Sequence, residues 1–210
     1  VAGAITSTSD VLRSAIRIVG VRPTSRWVSS IFFMLSPDEE TYFTYSDCGV
    51  IPEPSIDQLV TIAKDASDFH RLLSNESPKV AFLSFSTKGS ADHYRVKRVS
   101  DAAKLFSKKY SNIINDGELQ FDVAVDEIIA SKKAPSSSIK GDANVMIFPN
   151  LDAGNIAYKI TQRLAGYHAW GPLLQGLNRP IHDLSRGCSV DDIISVSAIA
   201  ALQNAEYAYV

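Results

Sequence analysis

The chain has 210 residues, of which 45% are hydrophobic and 21% are charged. This length suffices for one large or two small compact domains, and the composition is that of a soluble globular protein and excludes a disordered chain. The formal net charge of −2 argues against a general nucleic-acid binder, which needs a basic surface. The longest apolar stretches fall short of the ~20 residues needed to cross a bilayer, so we expect no membrane segment.

The two cysteines and four histidines give no sign of a metal site or a disulfide framework. Cys48 and Cys188 lie far apart without metal-type spacing, and the histidines form no paired motif. No signal peptide is visible. We therefore expect a cytoplasmic protein with reduced thiols and without a metal ion bound through this chain.

The chain opens in an apolar run, residues 1–5, that reads as the end of a buried strand. Residues 6–10 form a polar turn rich in helix N-cap residues, and the apolar spacing of residues 12–19 predicts a helix. Because a chain rarely begins within its own core, we expect that N-terminal structure precedes this sequence in the intact protein.

The middle of the chain alternates between strand-like and helix-like segments. Strands are predicted at residues 28–35, 41–45, 80–85, 119–123 and 145–148, and helices at 55–73, 96–110, 125–131 and 153–165. A short polar turn separates the first two strands and predicts a hairpin. Strand and helix in turn indicate an α/β fold with a parallel sheet and right-handed crossovers.

A polar loop with glycines, residues 176–192, leads into an apolar helix that begins near Ile193. Ser185, Arg186 and the unpaired N–H groups of the helix start suit an anion such as phosphate, because the first turn carries a partial positive charge. Ser189 and Asp192 also fit a capping box, in which the hydroxyl and the carboxylate satisfy N–H groups. From the residues alone, Asp192 is either a cap or a functional carboxylate.

Four segments carry a resemblance to a known family, and they follow one another in that family's order. They are residues 83–90 (LSFSTKGS), 116–122 (DGELQFD), 149–164 (PNLDAGNIAYKITQRL) and 183–192 (DLSRGCSVDD). Across nearly its whole length the chain resembles the phosphate acetyltransferases, also called phosphotransacetylases.

The resemblance implies a fold similar to that of isocitrate and isopropylmalate dehydrogenases. That fold has two three-layer α/β/α domains, with the active site in the cleft between them. On this pattern residues 24–174 form the middle domain. Residues 1–23 and 175–210 are parts of the other domain, whose N-terminal part is missing here.

The implied reaction is acetyl-CoA + phosphate ⇌ acetyl phosphate + CoA, a step of acetate metabolism in which coenzyme A is a substrate and no separate cofactor is needed. Attack on acetyl phosphate requires a thiolate, whereas a free thiol with a pKa of ~8.5 is mostly protonated at neutral pH. By resemblance, Asp192 is the base, Arg186 grips the phosphoryl oxygens, and Ser185 polarises the acyl carbonyl.

Further substrate contacts are implied for four residues: Arg13, Ser7, Gly187 and Cys188. Each also has a plainer reading, because Arg13 can form an ordinary surface salt bridge and Ser7 can cap the first helix. Cys188 also has the setting of a nucleophile, since an arginine and a helix start lower a thiol pKa, but direct attack by coenzyme A makes an acyl-enzyme unnecessary.

The same family leaves two alternatives open, a phosphate butyryltransferase and a non-catalytic acyl-CoA-sensing domain. The C-terminal helix is apolar nearly all round and should be buried, so we expect a homodimer or association with the missing N-terminal part. Lys88 reads as a solvated loop lysine or a contact to coenzyme A phosphates. His182 stands where the family often has asparagine.

Overall fold

A computed structural model describes residues 1–3, 5–184 and 187–207. Its seven helices and six strands, counted over these residues, are α1 (Thr8–Ile18), β1 (Ser29–Leu35), β2 (Tyr42–Ser46), α2 (Ile56–Ser74), β3 (Lys79–Leu83), α3 (Tyr94–Lys109), β4 (Ile114–Leu119), α4 (Phe121–Val125), α5 (Glu127–Lys133), β5 (Val145–Ile147), α6 (Leu151–Leu164), β6 (His168–Gln175) and α7 (Val190–Tyr207). Among the helices so described, none is long and apolar enough to cross a membrane.

The six strands form one mixed sheet in the order β4-β3-β5-β2-β1-β6. Strands β2, β5, β3 and β4 run parallel to one another, as the alternation predicts. The predicted hairpin is confirmed, since β1 pairs antiparallel with β2. Strand β6 was not predicted, because Gly171 and Pro172 interrupt any strand pattern in its sequence. It pairs antiparallel with β1 and makes the sheet mixed.

Two predicted strands are wrong in position or extent. A strand is expected at residues 119–123, but the observed strand β4 ends at Leu119. The apolar residues that follow belong to helix α4. Since β4 is an edge strand bound only to β3, polar residues are tolerated on it. At the start of the chain, Ala2 makes a single bridge to Asp183, and Val1 and Ile5 are exposed rather than buried.

Apolar side chains alternate between the two faces of β1 and build two cores. Ile31 and Phe33 face a cluster that includes residues of α2, α3 and α7. Phe32 and Met34 face a second cluster, with residues of α4, α5 and α6. Helices therefore cover both faces of the sheet, which is the expected behaviour of parallel strands.

Helix α7 is only partly buried within this chain, and its cover by the missing N-terminal part or a second copy stays a prediction. Val196 and Ile199 are buried in the core, whereas Ile194 and Leu202 are 61% and 47% exposed. Only one side of the helix packs on this sheet, so its remaining apolar side chains face outwards.

The loop after β2 is built around one buried carboxylate. Asp47 accepts hydrogen bonds from the backbone N–H and hydroxyl of Ser30, and from the N–H groups of Gly49, Val50 and Ile51. Burial raises its pKa, and these donors oppose that shift. The five bonds fix the start of β1 against the end of β2, at the edge of the sheet where the parallel strands end.

Substitution of Gly154 in α6 tests this packing. A Cβ at Gly154 would lie 2.3 Å from the carbonyl oxygen of Asp47 and 3.0 Å from the sulfur of Cys48. Alanine improves helix propensity by about 1 kcal/mol, but the clash with backbone outweighs it. We expect Gly154→Ala to lower the free energy of unfolding by about 1–3 kcal/mol in urea titrations. The reverse change, Ala157→Gly, controls for propensity; a stabilised Gly154→Ala would contradict the packing.

Candidate active site

The start of the chain lies beside the segment that follows β6. Ala2 and Asp183 form a parallel bridge, in which the N–H of Ala2 donates to the carbonyl of His182 (3.1 Å) and the N–H of Leu184 donates to the carbonyl of Ala2 (2.7 Å). The hydroxyl of Thr8, the first residue of α1, donates to Asp183 Oδ2. The helix that carries Ser7 and Arg13 thus starts beside the segment leading to α7.

On α1, the structure contains both of the plainer contacts. Ser7 caps the helix, accepting from the N–H of Asp10 (3.2 Å) and donating to its carboxylate (2.7 Å). Arg13 pairs with the same carboxylate at 3.1 Å, and both side chains are more than half exposed. Exposed pairs of this kind contribute about 0–1 kcal/mol, so the pair does not exclude an anion from Arg13. Phosphate contacts by Ser7 and Arg13 stay predictions.

At the start of α7, the capping box is also formed. The N–H and hydroxyl of Ser189 donate to Asp192 Oδ2 at 2.8 and 2.9 Å, and the N–H of Asp192 donates back to the hydroxyl at 3.1 Å. Both bonds to the carboxylate end on Oδ2. Within the described part of the chain, Oδ1 of this half-buried side chain accepts no hydrogen bond. One oxygen therefore caps the helix while the other is available to accept a proton.

The predicted residues between these two segments are only partly described. Ser185 and Arg186 lie outside the described residues. Gly187 is an exposed turn residue. Cys188 is half-buried and packs against the main apolar core, a setting typical of a small apolar side chain.

His182 is a buried structural residue that links β6 to this segment. Its Nδ1 accepts a hydrogen bond from the N–H of Leu174 (3.2 Å), and its ring meets Phe69 edge-on at 6.1 Å. Burial lowers the pKa of His182 to about 4. At neutral pH the ring is uncharged and presents an acceptor, which is the function that an asparagine amide oxygen would supply.

Asp183 is the main residue of the site that the motif reading did not single out. It is buried, and desolvation raises its pKa. Its Oδ1 has no hydrogen-bond partner among the described residues. In sequence it looks like one more motif aspartate, because its partner Thr8 lies 175 residues away.

Two cavities lie elsewhere in the described chain. The larger, about 690 Å³, is lined by residues of α2 and by residues of the loop before β1, the end of β6 and α7, among them Arg22, Asp65, Arg71, Gln175 and Gln203. Burial raises the pKa of Asp65 to about 6. The smaller, about 440 Å³, is lined by Lys88 and Glu118. Lys88 forms an ion pair with Asp116 there and is not simply solvated. Of the predicted site residues that the structure describes, none lines either cavity.

Metal binding is not indicated by the described residues. They contain no group of three or more histidine, cysteine, aspartate or glutamate side chains placed to hold an ion. The absence of a metal stays a prediction.

Comparison with known proteins connects this geometry to one family. The family model described as "Phosphate acetyl/butaryl transferase" matches residues 1–201. The phosphate acetyltransferase of Acetivibrio thermocellus is 48% identical over 207 residues, which cover 97% of this chain and 62% of that protein.

Solved structures give the same result. A phosphotransacetylase from Streptococcus pyogenes is 40% identical with a TM-score of 0.93, over 97% of this chain and 62% of that chain. The EutD phosphotransacetylase from Staphylococcus aureus is 46% identical with a TM-score of 0.88, over 96% of this chain and 62% of that chain. The chain therefore spans about 62% of the length of the curated relatives named here.

The neutral state of His182 predicts a pH dependence of stability. Its pKa falls from 6.5 in the unfolded chain to about 4 in the fold, so its contribution is present above pH 6.5 and is lost as the pH falls towards 4. Between pH 7 and 5 this loss is about 2 kcal/mol. We therefore expect the free energy of unfolding, measured in urea at pH 7 and pH 5, to fall less in His182→Asn than in the unsubstituted protein. The difference between the two decreases should be about 2 kcal/mol. Equal losses would show that His182 does not titrate on unfolding.

Proposed function

Because the chain belongs to the phosphate acetyl/butaryl transferase family, we propose that the protein containing it transfers an acetyl group between acetyl-CoA and phosphate. The observation that carries the proposal is the carboxylate of Asp192, held at the start of α7 with one oxygen bonded to Ser189 and the other without a hydrogen bond among the described residues. Coenzyme A and phosphate are substrates, and the reaction needs no other cofactor or metal ion.

Asp192 Oδ1 is the base in this proposal. It takes the proton from the thiol of coenzyme A, and the thiolate sulfur attacks the carbonyl carbon of acetyl phosphate. The carbon–oxygen bond to phosphate then breaks, and phosphate leaves with the bonding electron pair. In the other direction phosphate attacks acetyl-CoA, and Asp192 returns the proton to the departing thiolate.

The bond to Ser189 prepares Asp192 for this role. A carboxylate whose Oδ2 accepts two hydrogen bonds is fixed in orientation, and its Oδ1 needs no rearrangement to meet the thiol. The cap and the base are therefore two functions of one side chain, carried by different oxygens.

The leaving phosphate requires positive charge and the acyl oxygen requires a donor. We assign these roles to Arg186 and Ser185 from their place in the sequence, seven residues or fewer before Asp192. Arg13 and Ser7 add contacts from α1, and Gly187 and Cys188 from the loop. The start of α1 beside Asp183 supports this convergence, because it brings the two sets onto neighbouring segments.

In this proposal the intact protein has two domains in an arrangement like that of the isocitrate and isopropylmalate dehydrogenases. Residues 24–174 form one three-layer α/β/α domain, and residues 1–23 and 175–210 contribute to the other, with the active site in the cleft between them. The helices on both faces of the sheet support the layering. The bridge between Ala2 and Asp183 supports a shared second unit.

The names of the relatives support acetyl rather than butyryl as the acyl group. The proteins 45–48% identical to this chain are named phosphate acetyltransferases. A purely acyl-CoA-sensing protein would not need a carboxylate with an available oxygen at the helix start. We place the reaction in the cytoplasm, with support from the two free cysteines, Cys48 and Cys188.

A homodimer is proposed from an apolar stripe on α6. Ile156, Ile160 and Leu164 follow one another at four-residue spacing and are 57%, 52% and 84% exposed. Residues at this spacing lie on one face of a helix. A second copy of the chain meeting this face would bury all three side chains in each subunit.

The base role of Asp192 predicts a specific kinetic defect. Asp192→Asn keeps an acceptor for the cap, so folding and both Michaelis constants should change little. Turnover should fall roughly 10²–10⁴-fold at pH 7, the range for a positioned general base, and should recover in part at higher pH as the thiol ionises by itself. The neighbouring exposed Asp191→Asn is the matched control and should keep its turnover. Near-native turnover of Asp192→Asn would move the base elsewhere.

The stripe on α6 predicts a change in assembly. Ile160→Glu places a charge in the centre of the proposed interface and should raise the dissociation constant at least ~10-fold, seen as monomer in sedimentation. Ile128→Glu on α5 replaces a side chain of similar exposure, 66%, outside the stripe and should leave the dimer intact. Identical sedimentation of Ile160→Glu and unsubstituted protein would exclude this face.

A further inference from the structure

Asp183 and Thr8 join two distant parts of the chain at the site. Their side chains are hydrogen-bonded across 175 positions of sequence, from the hydroxyl of Thr8 to Oδ2 of Asp183. Thr8 follows Ser7 directly and precedes Arg13 by little more than one helical turn. Asp183 precedes Ser185 by two residues in the sequence.

The carboxylate of Asp183 is buried with few donors among the described residues. The residue is 2% exposed, and the side-chain donor that these residues supply is the hydroxyl of Thr8. Oδ1 has no hydrogen-bond partner among the described residues. Buried carboxylates are normally fully hydrogen-bonded, and the described residues supply a partner for only one oxygen of Asp183.

The chain makes room for this carboxylate on its other side. A Cβ on Gly3 would lie 1.8 Å from Asp183 Oδ1 and 2.8 Å from the backbone nitrogen of Leu184. Gly3 also has φ of +114°, a conformation that favours glycine. The carboxylate therefore occupies the space that any other residue at position 3 would fill, and the start of the chain is shaped around it.

The negative charge also suits the start of α1. The first turn of a helix has unpaired N–H groups and a partial positive charge, and a carboxylate near it is stabilising. Thr8 is the first residue of α1, so its bond to Asp183 holds the N-terminus of the helix towards the segment that continues into Ser185 and Arg186.

We propose that Asp183 is a positioning residue for phosphate: its bond to Thr8 clamps the start of α1, and with it Arg13, to the segment that leads to α7. The proposal rests on the proposed function, in which Arg13 and Arg186 contact the same anion. Asp183 itself touches no substrate. Loss of the clamp should weaken the binding of phosphate, which needs both segments, far more than the binding of acetyl-CoA.

The test uses the full natural length of the protein with Thr8→Val and Asp183→Asn. Two quantities are measured: the dissociation constant of inorganic phosphate by calorimetry, and the Michaelis constants of phosphate and acetyl-CoA in acetyl phosphate formation. A hydrogen bond to a charged group of this strength predicts an increase of about 10-fold or more in both phosphate constants. The Michaelis constant of acetyl-CoA should change less than ~2-fold on the same reasoning, because only the phosphate requires both segments.

Two further variants separate positioning from folding. Thr8→Ser keeps the hydroxyl and should restore the phosphate constants to nearly those of the unsubstituted protein. Thr61→Val is the matched control, since Thr61 is also half-buried but donates to the backbone of its own helix at Asp57. A merely structural role of Thr8 would lower the melting temperature and the active fraction while leaving both Michaelis constants unchanged.

The outcomes are distinguishable. Weaker phosphate binding in Thr8→Val with rescue by Thr8→Ser supports the clamp, even if no acetyl transfer is found and the proposed function fails. Unchanged phosphate constants in Thr8→Val and Asp183→Asn overturn it while leaving acetyl transfer intact. Equal changes in the constants of both substrates, or no phosphate binding by the unsubstituted protein, also overturn it.

Discussion

The antiparallel pairing of β1 with β6 is the constraint on which the site depends. Because these strands run in opposite directions, the first residue of β1 lies opposite the last residue of β6, Ser29 against Gln175. The chain before β1 and the chain after β6 therefore leave the sheet at the same point. The pairing continues outwards through the bridge of Val21 with Leu177 and the bond from the N–H of Arg22 to the carbonyl of Gly176. Residues near both ends of the sequence are brought together without any long loop.

Buried carboxylates then fix the geometry that this topology makes possible. Asp47 accepts five hydrogen bonds and holds the loop after β2 against the start of β1. Asp183 accepts few hydrogen bonds and links two distant segments. Asp192 caps the helix with Oδ2, while its Oδ1 accepts no hydrogen bond from the described residues. The number of hydrogen bonds to each carboxylate matches its proposed use. A carboxylate that anchors a loop needs donors for both oxygens, whereas a base needs one oxygen left to accept a proton.

Much of the fold could be predicted from hydrophobic spacing, and the failures have physical reasons. Helix α2 was predictable because its apolar spacing and the Ser55–Gln58 capping box agree. Strand β4 was missed because an edge strand tolerates polar residues such as Asn115 and Asp116. The local cap at Asp192 was visible in sequence, but the contact of Thr8 with Asp183 was not, since periodicity carries no information about partners 175 residues apart.

A crystal structure of the protein grown with phosphate tests the central claim most directly. The account predicts an anion at the start of α7, in contact with Arg186 and Arg13, with Asp183 still bonded to Thr8. It would be contradicted by a phosphate bound instead in the 690 Å³ cavity beside Arg22 and Arg71, with the segment between Asp183 and Asp192 empty.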